Sequence, residues 1–306
     1  MDISIIVVSF NTKKLLLDCL ASIFETIKEV SFEVWVVDNN STDGTLEATR
    51  ERYPAVNTIE NKENLGFAAA NNQAFRQMKG RYALLLNTDT VLTNGAVKEL
   101  YDFMEANPEA GMACGQLLNQ DGSKQNSIAT FPALLPLCCN ETVLRILLPK
   151  RFPSKRRRYV SPLGVDSCIG ACLIVRKEAM DDIGFFDERY FFFLEETDWA
   201  YRMKLGCWGI YFIPTARIFH GQGKTVGNSL NSRIMFYRSR YIFLKKWHPH
   251  SYPLFYSLIL LRLLVNTLLS SIGLLFTLGF KNSINKKVIA YVQLLIWHLQ
   301  GCPEKR

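Results

Sequence analysis

The strongest constraint on this chain is an alternation that starts at its first residues. Nearly continuous apolar, β-branched runs are each followed by a polar turn and then by apolar residues at helical spacing. Residues 3–10 read Ile-Ser-Ile-Ile-Val-Val-Ser-Phe, the pattern of a strand covered on both faces. After Asn11 and Thr12, the residues Leu15, Leu16, Cys19, Leu20 and Ile23 recur at the helix period. The pattern repeats as strand 33–37 with helix 45–53, as helix 66–78 with strand 81–86, and again in a strand-like run at 209–213. Strand, turn and helix in succession predict βαβ units and a mostly parallel α/β sheet. Such sheets bind ligands beyond the carboxyl ends of their strands. The polar sets Ser9-Phe10-Asn11, Asp38-Asn39-Asn40 and Asn87-Thr88-Asp89 are therefore expected to converge on one crevice.

With 306 residues, 48% of them hydrophobic, the chain buries an ample core, which excludes disorder and a small disulfide scaffold. The formal charge of +8 conceals an asymmetry: residues 1–198 carry 21 Lys and Arg against 27 Asp and Glu, whereas residues 199–302 carry 13 Lys and Arg and no acid. An acidic half joined to a basic, aromatic-rich half suggests chemistry at one end and an anionic partner, nucleic acid or membrane, at the other. The N-terminus has an acid where a signal peptide needs cations, so the chain is expected to be non-secreted and its eight cysteines reduced. No Cys-x-x-Cys or zinc spacing occurs. Residues 120–165 lose the periodicity and contain five prolines and the run Lys155-Arg156-Arg157-Arg158. They read either as a functional lid or as a solvated basic loop.

Three further features carry chemistry. Asp89 follows the apolar run 82–86, where it either helps a divalent cation hold a diphosphate or caps a helix over 90–101. Glu195-Glu196-Thr197-Asp198 follows Phe191-Phe192-Phe193-Leu194. Carboxylates crowded against aromatics have raised pKa values, which suits a general base. Asp198 is four residues before Arg202, the spacing of a structural ion pair. His220 stands just before Gly221 and Gly223; it is either structural or a ligand approached closely by backbone.

Taken in order, the motifs Val8-Ser9-Phe10-Asn11, Val37-Asp38-Asn39-Asn40-Ser41-Thr42-Asp43-Gly44-Thr45, Asn64-Leu65-Gly66-Phe67, Leu86-Asn87-Thr88-Asp89, Gly184-Phe185-Phe186-Asp187-Glu188 and Glu195-Glu196-Thr197-Asp198 resemble those of the family 2 glycosyltransferases. Bacterial rhamnosyltransferase-like members that build cell-surface polysaccharide are the most similar. The resemblance runs from about residue 3 to 225. It implies a GT-A fold and an inverting, metal-dependent transfer from a nucleotide-diphosphate sugar. It implies nucleotide-sugar binding by Ser9, Phe10, Asn11, Asp38, Asn64, Gly66, Phe67, Asn87 and Asp89, with Asp38 on the base. It also places Asp89 and His220 on Mg2+ or Mn2+ and makes Glu196 the catalytic base. Many relatives carry Glu-Asp where this chain has Glu195-Glu196, so which of the two carboxylates faces the acceptor stays open.

The expected organisation is a catalytic domain at 1–230, with a nucleotide half at 1–119 and an acceptor half containing the lid at 120–230, followed by a basic helical region at 231–306. Residues 263–280 are uncharged, close to the length that crosses a bilayer. Arg262, Asn266, Ser270, Gly273, Thr277 and Lys281 share one narrow arc of a helical wheel. That stripe favours a helix lying in an anionic membrane interface, against a bland alternative of a buried helix. The expected partners are a dTDP- or UDP-sugar, a lipid-linked glycan acceptor and the cytoplasmic face of the cell membrane, with peripheral or monotopic attachment. The contrasting possibility is a basic nucleic-acid or lipid-binding protein without catalysis. Because the aromatics adjoin apolar runs and not a soluble basic face, nucleic acid is not expected.

Overall fold

A computed structural model describes residues 1–139, 141–149, 151–154, 157–221, 229–276 and 282–302. The chain divides into two compact units, residues 1–131 with 149–225, and residues 132–148 with 226–306.

The first unit opens with the expected alternation. β1 (Ile3–Ser9), α1 (Lys13–Thr26), β2 (Phe32–Asp38), α2 (Thr45–Arg52), β3 (Asn57–Glu60), α3 (Gly66–Phe75) and β4 (Tyr82–Asn87) follow one another. β5 (Thr90–Leu92), α4 (Ala96–Ala106), β6 (Ala110–Leu118) and β7 (Ile128–Ala129) come next. α5 (Leu134–Cys138) and α6 (Glu141–Leu147) belong to the second unit. β8 (Leu163–Gly164), β9 (Ser167–Cys168), β10 (Cys172–Arg176), α7 (Lys177–Ile183), α8 (Glu195–Leu205) and β11 (Gly209–His220) complete the first unit. The second unit continues with α9 (Leu230–Trp247), α10 (Tyr252–Phe276) and α11 (Asn282–Leu299).

The main sheet has the order β3-β2-β1-β4-β10-β6-β11-β5, with β8 also pairing β11. β3, β2, β1, β4, β6 and β11 share one direction; β10, β5 and β8 run against it. Ser9 is paired with Asp38, and Val8 with both Val37 and Asn87. Three polar strand ends therefore stand side by side at one edge. Beneath them, Ile3, Ile5, Val7, Leu84, Leu86 and Ile174 are fully buried between the sheet and its helices, as apolar runs on central strands require.

The stretch after β4 differs from the helix-cap reading. Thr90, Val91 and Leu92 pair with His220, Phe219 and Ile218, and α4 begins only after Gly95, which takes a left-handed φ of 80°. Asp89 therefore sits in a strand-to-strand turn and caps nothing. The β-branched pair Thr90-Val91 suits a ladder, and β11 supplies one by running on past 213. Its register against β6 shifts between Ile213 and Arg217, around Pro214, which has no N–H to give the ladder.

Inside the expected lid, Leu134–Cys138 and Glu141–Leu147 are helical. Leu137 joins a cluster with Tyr241, Leu244, Phe255, Ile259, Leu263, Leu294 and Trp297, so apolar burial sets the fate of this segment despite its prolines. Lys155 and Arg156 of the basic run, Thr277 and Lys281 of the polar stripe, and Gly223 after His220 lie outside the described residues. Of the polar stripe, Arg262 is exposed and Asn266, Ser270 and Gly273 are partly buried, while Leu261, Leu264, Val265, Leu268 and Leu269 are exposed. The three partly buried residues continue the side of α10 on which Phe255, Ile259 and Leu263 are buried.

Candidate active site

The end of β2 builds the first part of the site. Asp38 is almost fully buried; its Oδ2 accepts the Ser41 N–H at 2.8 Å, and its Oδ1 has no partner. Asn11 has a left-handed φ of 52°. Its Oδ1 accepts the Thr42 N–H at 2.7 Å, while its own N–H donates to Ser41 Oγ at 2.8 Å. The loops after β1 and β2 are thus laced together, with Ser9 Oγ against Thr12 Oγ1 at 2.9 Å and Phe10 left exposed. Asn39 donates to the Gly66 carbonyl at 3.1 Å, and Asn64 Oδ1 accepts the Gly66 N–H at 3.0 Å.

Gly66 is glycine for a visible reason. Its φ is +83°, and a Cβ there would lie 2.4 Å from the Phe191 carbonyl oxygen. That same oxygen accepts the Phe67 N–H at 2.8 Å. Phe67 also meets Phe186 and Phe192 with ring centroids 6.2 and 6.0 Å away. The Gly-Phe motif therefore grips the loop that leads into α8. Phe193 and Leu194 take φ values of 70° and 63° at that entry, a conformation that bulky residues hold only where the surroundings impose it.

α8 begins with the acidic cluster. Glu195 is buried and its Oε2 has no partner. Burial first, and the charge of Glu196 second, hold its carboxyl well above the usual range. Glu196 is only partly buried, and burial pushes its carboxyl up to about 7. Asp198 is structural, as its spacing predicts: Arg202 Nε donates to it at 3.0 Å and Tyr190 O–H at 3.3 Å. Arg202 also donates to the carbonyls of Ile183 and Phe185, and Trp199 Nε1 to that of Gly184. The Gly184-Phe185-Phe186-Asp187-Glu188 motif is a clamp on this helix and offers no group to a ligand through these bonds.

The ends of β4 and β11 meet at the third part. The Gly221 N–H donates to the Asp89 carbonyl at 2.8 Å, bringing His220 Nε2 to 3.4 Å from Asp89 Oδ1. Asp89 Oδ1 is buried and has no hydrogen-bond partner; neither has Thr88 Oγ1 beside it. Gln125, which the sequence reading missed, fixes the imidazole. Its Nε2 donates to the His220 carbonyl at 2.7 Å and to Asn119 Oδ1 at 2.7 Å, which leaves its Oε1 to accept from His220 Nδ1 at 2.8 Å. With the proton on Nδ1 held by Gln125, the Nε2 edge of His220 faces the Asp89 carboxylate. A carboxylate oxygen and an imidazole nitrogen facing one another over a short gap could both serve as ligands to a divalent cation. Among the described residues no group of three or more His, Cys, Asp or Glu is placed to hold a metal. Magnesium and manganese fit two protein ligands because they complete their shells with water and phosphate oxygens. Asn87 stands at the same edge, its N–H bonded to the Ala171 carbonyl at 3.0 Å.

The structure thus brings Ser9, Asn11, Asp38 and Asn87 to one sheet edge, ties Asp89 to His220 beside it, and links Gly66 and Phe67 to the loop before Glu195 and Glu196.

Residues 4–184 match the sequence profile described as Glycosyl transferase family 2. The N-acetylglucosaminyl-diphospho-decaprenol L-rhamnosyltransferase of Mycobacterium tuberculosis is 30% identical over 70% of this chain and 75% of its own length. The mannosyltransferase PcManGT from Pyrobaculum calidifontis, solved with GDP-Man and Mn2+, superposes with a TM-score of 0.59 at 17% identity over 96% of this chain and 87% of that one. GalNAc-T7, solved with UDP, GalNAc and Mn2+, superposes with a TM-score of 0.56 at 15% identity over 77% of this chain, which spans 47% of that one. The strand order, the polar edge and the profile agree: this chain belongs to glycosyl transferase family 2 and has the GT-A fold.

Proposed function

We propose that this chain is an inverting glycosyltransferase that moves a sugar from a nucleotide diphosphate to a hydroxyl of a lipid-linked glycan in cell-surface polysaccharide synthesis. Rhamnose from a dTDP donor is the first candidate, with UDP-sugars as the second. The observation that carries the reading is the meeting of Asp89 Oδ1, buried without a hydrogen-bond partner, and His220 Nε2, its tautomer set by Gln125.

In this reading Asp38 Oδ1 accepts from the nucleotide base, and Ser9, Phe10 and Asn11 line the base and ribose. Asn64, Gly66, Phe67 and Asn87 border the sugar diphosphate. Asp89 and His220 would hold Mg2+ or Mn2+, which when bound would supply positive charge to a departing diphosphate. Glu196, poised near neutrality, takes the proton of the acceptor hydroxyl while that oxygen bonds to the anomeric carbon and the bond to the diphosphate breaks on the opposite face. Glu195 is more deeply buried, and burial with the neighbouring Glu196 charge holds its carboxyl well above the usual range, which disfavours a second negative charge beside the base. The mycobacterial relative's name carries a diphospho-decaprenol acceptor. The basic second unit suits work at the cytoplasmic face of a membrane, attached peripherally or monotopically.

The test is nucleotide release from dTDP-rhamnose and a panel of UDP-sugars, with Mn2+ or with chelator, in the presence of a short soluble acceptor. Metal-dependent turnover on one donor supports the reading. Equal release with chelator, or none from any nucleotide sugar, counts against it.

A further inference from the structure

Helix α10 is amphipathic in the wrong sense for water. Phe255, Ile259 and Leu263 mark its buried face, and at about 100° per residue Asn266, Ser270 and Gly273 continue that face, all three partly buried. The opposite arc presents Leu261, Leu264, Val265, Leu268, Ile272 and Phe276, every one exposed. Tyr252–Leu274 is apolar enough to enter a bilayer, yet only 11% of its most apolar window is buried within the protein, unlike the core helix of a soluble protein.

α11 returns antiparallel. Near its C-terminus, His298 accepts the Tyr256 O–H on its carbonyl at 2.9 Å, and Leu294 and Trp297 pack in one cluster with Phe255 and Ile259. Ile289, Val292 and Ile296 are exposed along α11 beside the exposed Lys286 and Gln293. A helix pair with polar and small residues inward and leucines outward has the arrangement of helices packed in lipid. A second copy of this chain fits that face poorly, because residues 199–302 carry only positive charge and would repel their like, whereas anionic headgroups attract them.

We propose that α10 and α11 enter one leaflet of an anionic bilayer as a helical pair, with the leucine arc of α10 against the acyl chains and the Asn266, Ser270 and Gly273 stripe turned inward. Tyr252–Leu274 is long enough to cross a bilayer by itself, but the antiparallel return run 288–299 has 12 residues, short of the roughly 20 that cross, and it keeps the pair in one leaflet. Lys286 and Gln293 reach the headgroups, and Arg262, at the edge of the leucine arc, snorkels to them. The inference rests on the membrane attachment proposed above and adds which arc of α10 meets the lipid.

The test uses the full chain with vesicles of phosphatidylcholine and phosphatidylglycerol, carrying the photo-crosslinker p-benzoylphenylalanine at Leu268 or at Ser270. The protein is expected to float with the vesicles in high salt, with lipid adducts from position 268 and adducts only within the chain from position 270. Leu268→Glu combined with Ile272→Glu, with helix content checked by circular dichroism, should cut the bound fraction roughly tenfold or more. Lipid adducts from 270 and not from 268, crosslinks from 268 to a second copy, or release by salt alone overturn the insertion while leaving attachment standing. Failure to float in low salt overturns both.

Discussion

The two compact units of this chain each bury an apolar cluster and differ in what they leave unsatisfied. In the unit formed by residues 1–131 and 149–225 the interior is apolar, and buried polar atoms without a hydrogen-bond partner include Asp38 Oδ1, Thr88 Oγ1, Asp89 Oδ1 and Glu195 Oε2. The first three stand where strands β2 and β4 end, and the fourth stands where α8 begins. In α10 Asn266, Ser270 and Gly273 are turned inward and the leucines face outward. A buried polar atom left unpaired costs about 1–3 kcal/mol. A fold that gathers several at one edge is waiting for a polar ligand, and a helix that exposes its leucines is waiting for an apolar solvent. The difference separates the tasks: one unit is shaped around a reaction, the other around a surface.

The largest way to break that contrast is Asp89→Ala. If its unpartnered oxygen belongs to a metal and diphosphate site, turnover should fall about 1,000-fold, the effect of losing several kcal/mol of charge stabilisation. The circular dichroism spectrum should not change. Turnover within a few fold of the parent would make the orphan oxygen a mere packing defect.

Next comes Glu196→Gln, which preserves shape and removes the proton acceptor. Turnover should fall roughly 100-fold or more with donor binding retained. In the parent, kcat/KM should rise with pH through about 7 as the Glu196 carboxyl ionises, and this limb should vanish in the variant. If Glu195→Gln is the dead protein and Glu196→Gln is active, the two roles are exchanged.

Gln125→Leu should weaken Mn2+ binding about tenfold, read by the electron paramagnetic resonance of free Mn2+, because His220 loses the partner that fixes its tautomer. Gln125→Glu keeps an acceptor for His220 Nδ1 and should recover much of the affinity. A tenfold loss in both variants would point to the bond from Gln125 to the His220 carbonyl instead.

The smallest effect is one of stability. The Glu195 carboxyl is held above its unfolded value of about 4.5, so its contribution is fully present below that pH and is lost as pH rises toward its folded value. Glu195→Gln should therefore raise Tm by a few degrees at pH 8 and by little at pH 5. An equal gain at both pH values would assign the effect to packing.

The sheet and its polar edge were legible because burial on both faces leaves a run of β-branched residues, and the strand ends then fall where that run stops. Asp89 was harder to read. Asp-Thr-Val-Leu suits a helix cap or a strand equally, and only the distant partner β11 decides between them. Gln125 was invisible because it lies in a stretch without periodicity and acts through a chain reversal marked by the bridge between Leu118 and Lys124. The stripe on α10 was found, but a helical wheel gives the arc and not its direction. Which side meets water depends on α11.

The grip of Gly66 and Phe67 on the Phe191 carbonyl has a consequence for chimaeras. Exchanging the nucleotide half of one relative for another treats the fold as two modules joined in series. Here the hydrogen bond from Phe67, the absent Cβ of Gly66 and the left-handed Phe193-Leu194 step make the segment from 185 to 194 a part of both. A graft that carries α3 without this segment joins two parts that no longer agree on where Glu195 and Glu196 stand, and the segment must travel with α3 for the hybrid to work.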